Sequence, residues 1–419
     1  MTEPNSSQCV KAAFIWDGVS SVPLEDAYLI WNQGVITDVT TTPVADAIDL
    51  ENAAIIPPLV NAHTHLEFSH LQHPITPAIP FTGWIGQTIA ERAGNQNVQR
   101  SIELGVNEST KSGVAMLGEI VTHSQLEYTA NPTGTSLLLF RELIGLTPET
   151  VKEQTEIVSG FLERYRHQHP LGLSPHAPYT VRMDLLQQCI KWACDFNLPL
   201  TMHLAETQAE LDFMKSGTGE LVEMLTRFDL WDSQMIEAGT RPLDYLRLLS
   251  QAPRTLLAHG NYFSDEEIDF LSDQPEMSVI YCPRTHAFFQ HKNHRWREML
   301  QAGINVALGT DGRGSSPDLS IWKEMQFLGR NASASQAAEI LRMGTVNGWR
   351  ACGDHVSIEA GQRACWTVIR SPADSRGRFT GWENLLGPDT QAETVNYAGQ
   401  WMPGWWHTDS ESSNCDPQK

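Results

Sequence analysis

The residues best suited to chemistry begin with Asn61-Ala62-His63-Thr64-His65, which directly follows an apolar run ending in Leu59-Val60. On an extended chain positions i and i+2 point to the same side, so His63 and His65 can present two imidazoles to one cation. Three further apolar runs end on a polar group of the same kind: His203 after Leu198–Met202, His259 after Thr255–Ala258, and Asp311 after Ile304–Thr310. Imidazoles with one carboxylate suit zinc or a similar first-row divalent ion. Glu206 stands three residues after His203, where a carboxylate can take a proton from water at the metal and return it to a leaving nitrogen. The same position also fits an acid that complements the dipole of a following helix. Binuclear barrel hydrolases often place a carboxylated lysine at the exit of the fourth strand; here that stretch reads Leu173-Ser174-Pro175-His176, with no lysine, so one metal is expected. His176 is then free to hydrogen-bond substrate. Arg141 and Glu91 are candidates for a ribose or carboxylate contact, although a salt bridge explains either equally well.

These groups must be brought together by the elements that carry them. Apolar runs of strand length recur at 54–60, 114–121, 136–141, 171–176, 198–203, 255–259, 277–282 and 304–311, separated by helix-like segments. Such alternation predicts a (β/α)8 TIM-like barrel, whose strand exits converge on one mouth. Helix starts are legible at Thr207–Glu210 and Ser264–Glu267, which fit the capping box, and at Ser316-Pro317, a cap before proline. Connections 66–112 and 206–249 are too long for simple barrel loops and are expected to build the substrate pocket. Both chain ends alternate apolar and polar residues, which predicts a small β-sandwich domain from 1–53 and 351–408 around a barrel of 54–350. Residues 409–419 read as a disordered tail.

The whole chain has 419 residues, 41% hydrophobic and 19% charged, with 29 Lys+Arg against 50 Asp+Glu and a net charge of -21. That composition is globular, and so acidic a surface repels phosphate backbones and anionic lipid. No apolar run reaches the roughly 20 residues that cross a bilayer. Seven scattered cysteines without a Cys-x-x-Cys pair fit a reducing compartment. The expected partner is a small molecule, with neither nucleic acid nor membrane, in the cytoplasm; a homodimer is compatible with these features.

Five segments in order, Pro58–His65, Ser174–Thr180, His203–Thr207, Ala258–Gly260 and Leu308–Asp311, resemble the amidohydrolase superfamily, in its single-metal branch of cytosine, guanine and adenosine-type deaminases and s-triazine hydrolases. The resemblance runs from about Ile56 to about Asn347. It implies that His63, His65, His203 and Asp311 hold one zinc or iron ion, that Glu206 shuttles the proton, that His259 and Asp311 orient the attacking water, and that His176 contacts substrate. It also hints at a ribose contact for Glu91. Ser174-Pro175-His176-Ala177-Pro178-Tyr179-Thr180 is especially like the S-adenosylhomocysteine, methylthioadenosine and aminodeoxyfutalosine deaminases, which implies a 6-aminopurine nucleoside as substrate. One departure follows the seventh strand, where Tyr281-Cys282-Pro283-Arg284-Thr285-His286 replaces the His-Asn-Pro-x-Ser-Asn of those deaminases and is expected to set Arg284 and His286 near the pocket mouth. His291 and His294 are expected as solvated loop and helix positions. The alternatives are hydrolysis of another C–N or C–Cl bond, as in cyclic-amide or triazine hydrolases, and a metal-free barrel scaffold.

Overall fold

The computed structural model describes residues 7–123, 126–128, 135–330, 332–371, 379, 382–392 and 396–397. Nine short strands pair in parallel, each with the next: β1 (Leu59–His65), β2 (Val114–Val121), β3 (Ser136–Leu143), β4 (Leu171–Pro175), β5 (Leu200–Leu204), β6 (Thr255–His259), β7 (Met277–Tyr281), β8 (Asn305–Leu308) and β9 (Asp311–Gly312). β8 pairs with β7 and β9 pairs with β1, so the chain from 305 to 312 is one interrupted strand that closes the barrel. The interruption needs Gly309. A Cβ there would lie 2.9 Å from both Cβ and the carbonyl oxygen of His63 and 3.0 Å from Cys282 Sγ.

Parallel strands covered by helices are apolar on both faces, which is why they read as continuous hydrophobic runs. Alternation still sorts the two faces. Val60, Ala62, Leu138, Phe140, Leu256, Ile280 and Ala307 fill the barrel interior over Trp349, whereas Leu59, Leu137, Leu139, Leu257, Val306 and Leu308 pack outward under the helices. Burial of each such side chain contributes about 1.5–3 kcal/mol.

The first expected strand, 54–60, is two strands. Ala53–Ile56 joins the terminal sheet, Pro57-Pro58 interrupts pairing because proline has no N–H to donate, and β1 begins at Leu59. The terminal sheet has eight strands; Ala53–Ile56 lies between Gln8–Ile15 and Cys365–Arg370, so the two ends of the chain meet there. Trp31 and Trp366 pack edge to face across it at 4.9 Å. The expected tail, 409–419, lies outside the described residues.

The first long connection reaches the cavity at the barrel mouth, and the second is tied to it. The first carries α1 (Phe81–Gly94), and the second begins with α2 (Gln208–Ser216) and continues with helices Glu220–Arg227 and Pro242–Leu249. Thr82 Oγ1 donates to Glu220 Oε2 at 3.2 Å, tying one to the other. Three later helices border the mouth: α3 (Pro283–Phe288), α4 (Trp296–Gln301) and α5 (Ile321–Gly329). α5 starts at Ile321 with Ser320 as its cap, and not at the expected Ser316-Pro317. There Ser316 Oγ donates to Asp318 O and Pro317 O accepts from Arg313, so those residues form a loop.

Candidate active site

Plain strand alternation brings only His203 to the mouth, on the inner side of β5 opposite Leu200, Met202 and Leu204. The other groups need irregular backbone. The β1–β2 register shifts between Asn61 and Thr64, a bulge-like feature that turns His63 and His65 inward. His259 and Asp311 have φ of 72° and 55°, a left-handed conformation that is rare for bulky residues and concentrates at functional sites. Ala205, between His203 and Glu206, also lies at 54°.

The result is a closely spaced set of ligand atoms. His65 Nε2 lies 3.3 Å from His203 Nε2 and 3.4 Å from Asp311 Oδ1, and His63 Nε2 lies 3.7 Å from the same carboxylate oxygen. Ligand atoms of His63, His65 and Asp311 fall within 4.8 Å of one another, as do those of His63, His203 and His259. Two ring nitrogens facing each other at hydrogen-bond distance, with both nitrogens of His63 buried and without a hydrogen-bond partner, are an arrangement suited to sharing one cation. The set therefore fits a divalent ion. His203 Nδ1 is held by His176 O at 3.0 Å, which aims Nε2 at the centre, the usual role of a carbonyl behind a ligating histidine.

Electrostatics favour the same state. Burial lowers His65 to about 4 and His259 to about 3, and lowers His203 well below its ordinary value with help from His63, so these rings are neutral. Burial works against ionisation of Asp311, yet the imidazoles around it outweigh that and hold its carboxyl below the usual range. Neutral imidazole and ionised carboxylate are the forms that bind metal. Ser315 Oγ donates to Asp311 Oδ2 at 2.6 Å.

Glu206 Oε1 stands 3.6 Å from His259 Nε2. Burial raises its pKa well above the carboxylate range, and Asp311 and Glu210 add to the rise. Its backbone is clamped: Glu210, the third residue of α2, accepts from Ala205 N at 2.7 Å and Glu206 N at 2.8 Å, while Asn261 Nδ2 donates to Glu206 O. Thr207 Oγ1 caps α2, as the spacing predicts, but Glu210 turns to the two preceding amides and so does not complete the box. Beside these residues opens a cavity lined by His176, Tyr179, Ile144, Thr88, Ile89 and Arg92 and by the aromatic group Phe68, Phe81 and Trp84. His176 Nδ1 lies 2.7 Å from Thr180 Oγ1, a contact that fixes the ring with its Nε2 edge toward Glu142.

Four expected pocket contacts fall elsewhere. Arg141 shares the outward face of β3 with Leu137 and Leu139 and donates from Nη1 to Val121 O at 2.8 Å; Glu142, one residue on, turns inward, with Oε1 4.0 Å from His176 Nε2. Glu91 is exposed on the far side of α1, and its neighbour Arg92 lines the cavity, bound by Glu67 through Nε at 3.1 Å and Nη2 at 2.7 Å. Arg284 pairs with Glu324 and Asp318 on the α5 side. His286 is buried against Tyr281, His291 and His294, beside the cavity and not in its lining. His291 and His294 are not solvated: both rings pack against aromatic side chains. Spacing marks Glu210 only as the acid of a capping box and gives no signal for Ser315 or Glu142, whose partners come from the fold.

Residues 54–384 match the Amidohydrolase family model. The chain is 28% identical to a 5-methylthioadenosine/S-adenosylhomocysteine deaminase of Pyrococcus furiosus over 341 residues, 76% of each chain. It is 28% identical to an aminodeoxyfutalosine deaminase of Deinococcus radiodurans over 324 residues, 72% of this chain and 74% of that one. The structure of aminofutalosine deaminase from Helicobacter pylori superposes with a TM-score of 0.79 at 22% identity, covering 94% of this chain and 99% of the other. With the family model spanning most of the chain and the closed parallel barrel beneath it, this protein belongs to the amidohydrolase family.

Proposed function

We propose that the protein is a metal-dependent aminohydrolase that replaces the exocyclic amine of an adenine-type nucleoside with oxygen. The observation that carries this reading is the buried Glu206 carboxyl, its pKa raised, set beside His259 at the edge of the His63, His65, His203 and Asp311 cluster. The relatives named for 5-methylthioadenosine, S-adenosylhomocysteine and aminodeoxyfutalosine give the substrate class. One divalent ion, zinc in our reading with iron as the alternative, would be held by His63, His65, His203 and Asp311, and when bound it supplies the positive charge that makes water acidic near neutral pH.

The chain's own groups do the rest. His259 and Asp311 hold the attacking water by hydrogen bonds, and Glu206 accepts its proton as the oxygen adds to the ring carbon that bears the amine. Glu206 then returns that proton to the nitrogen, the C–N bond breaks and ammonia leaves; one water is consumed per ammonia formed. A raised carboxyl pKa suits a group that must both take and give a proton near neutral pH. His176, in the cavity lining, offers the substrate a polar contact, and Phe81 and Trp84 offer it an apolar wall.

The test is ammonia release by zinc- or iron-loaded protein from the three nucleosides above, cytosine, guanine and triazines. Release from an adenine nucleoside is expected. Release from none of them by metal-loaded protein refutes the reading, and loss of chloride or alkylamine from a triazine instead moves the protein to the other hydrolytic class. The same reading puts the enzyme in the cytoplasm, as a monomer or homodimer; the six described cysteines are free, and no described helix is long and apolar enough to cross a membrane.

A further inference from the structure

The connection between α3 and α4, residues 289–295, lies across the exit of β6 and binds it at three points. His294 Nε2 lies 2.9 Å from the carbonyl oxygen of His259, Arg295 Nη1 donates to Phe263 O at 3.3 Å, and the Tyr262 hydroxyl lies 3.1 Å from His291 Nδ1. A carbonyl oxygen only accepts, so Nε2 of His294 carries the hydrogen. The ring cannot easily turn away, because it lies flat on Tyr281 with centroids 3.9 Å apart and planes 20° apart. Its other nitrogen is buried and without a partner, so this single hydrogen bond and the stack account for the polar contacts of the side chain.

The bond falls where the backbone is least able to hold itself. His259 and Gly260 are consecutive left-handed residues, with φ of 72° and 61°. The peptide between them is pinned at both ends: its N–H donates to Leu204 O at 3.1 Å, and its carbonyl accepts from His294. Pinning that plane sets ψ of His259 and φ of Gly260, and hence the direction in which the His259 ring leaves the strand. A left-handed bulky residue is strained and persists only where surrounding contacts impose it. We propose that His294 is a positioning residue for the reaction: by holding the His259 carbonyl it keeps the His259 imidazole aimed beside Glu206 at the attacking water.

The inference rests on the role of His259 in the proposed deamination, so its test includes a readout that does not depend on turnover. His294→Phe keeps a ring on Tyr281 and removes the donor, whereas His294→Gln restores an N–H without the ring. In metal-loaded protein, His294→Phe is expected to lower kcat by about 10- to 100-fold, the scale of a small misplacement of a reacting group, with KM and bound metal unchanged, and His294→Gln to recover most of the loss. Crystal structures of the two variants are expected to show the His259 ring displaced in the first and restored in the second. Full kcat in His294→Phe, or a loss that His294→Gln does not recover while His259 stays in place, overturns the proposal. If the parent protein deaminates nothing, the functional reading fails, and the position of His259 in the two crystal structures still decides this one.

Discussion

Glu206 is asked to accept and donate one proton, and Gln can do neither while filling the same space. Glu206→Gln is therefore expected to keep its metal, measured by elemental analysis, and to lose about 10²- to 10⁴-fold in kcat; unchanged turnover removes Glu206 from the mechanism. Glu210 acts one step back. Its two oxygens accept the amides of Ala205 and Glu206, and a Gln side chain offers one acceptor and two hydrogens, so Glu210→Gln sets a donor against a donor. Burial raises Glu210 to about 7, so the bond is only partly charge-assisted near neutral pH, and we expect the variant to lower kcat by about 10-fold, the scale of one hydrogen bond of about 1–1.5 kcal/mol, with metal content unchanged. Local spacing made His63, His65, His203 and Asp311 legible in the sequence, because each ends an apolar run. Glu210 is legible only as a capping residue and Ser315 not at all, since their partners are placed by the left-handed backbone at Ala205 and Asp311, which no periodicity reports. Arg141 failed for a simpler reason: β3 runs two residues further than the apolar pattern, to Leu143, and its parity gives the mouth to Glu142.

Among the elements, α3 and α5 are joined by one cation. Arg284 Nε donates to Glu324 Oε1 at 2.6 Å and Nη2 to Asp318 Oδ1 at 2.8 Å, and Glu324 also accepts the Arg284 amide. Glu324 is fully buried and burial raises its pKa to about 7 even beside Arg284, so Arg284→Leu leaves a buried acid without its partner and is expected to destabilise the fold by about 3–5 kcal/mol above that pH and by less below it, where the acid is neutral, read by denaturant unfolding. Adding Glu324→Gln should return part of that loss. Burial raises the Asp318 pKa, but Arg284 and Lys323 outweigh it and hold the group at about 2. A carboxyl lowered on folding stabilises fully above its unfolded value near 3.9 and loses that contribution as pH falls through about 2. The parent should thus lose more stability than Asp318→Asn between about pH 4 and pH 2; parallel acid limbs would show the pair contributes nothing. This latch explains why sequence reasoning mislaid two features at once. Local pattern sets Arg284 near the pocket mouth and starts a helix at Ser316-Pro317, but the ion pairs that hold Arg284 reach 34 and 40 positions along the sequence, and the Arg313 and Ser316 bonds within 313–318 make that stretch a loop.

For the whole molecule, the cluster is a connection between opposite walls. His63 and His65 leave β1 and Asp311 leaves its neighbour β9, whereas His203 comes from β5, across the barrel. An ion bound by all four, as proposed, would join the closure seam of the sheet to its far side, and anything that binds only the folded state stabilises it by RT ln(1 + [L]/Kd), about 2.7 kcal/mol at a hundredfold excess over Kd. The surface charge of -21 works the other way, because like charges repel in the compact state. Removing an ion there would also take from the Asp311 carboxylate a positive partner that the Ser315 hydroxyl and the neighbouring imidazoles replace only in part. Dialysis against a chelator is accordingly expected to abolish turnover and to lower the thermal midpoint by on the order of 5 °C, with zinc restoring both. His203→Asn should flatten the dependence of the midpoint on metal concentration, since it cuts the cross-barrel ligand and leaves the seam ligands in place. A midpoint that ignores chelation in the parent would mean that the barrel closes through Gly309 and its strand pairing alone, and that the cluster serves catalysis without holding the walls together.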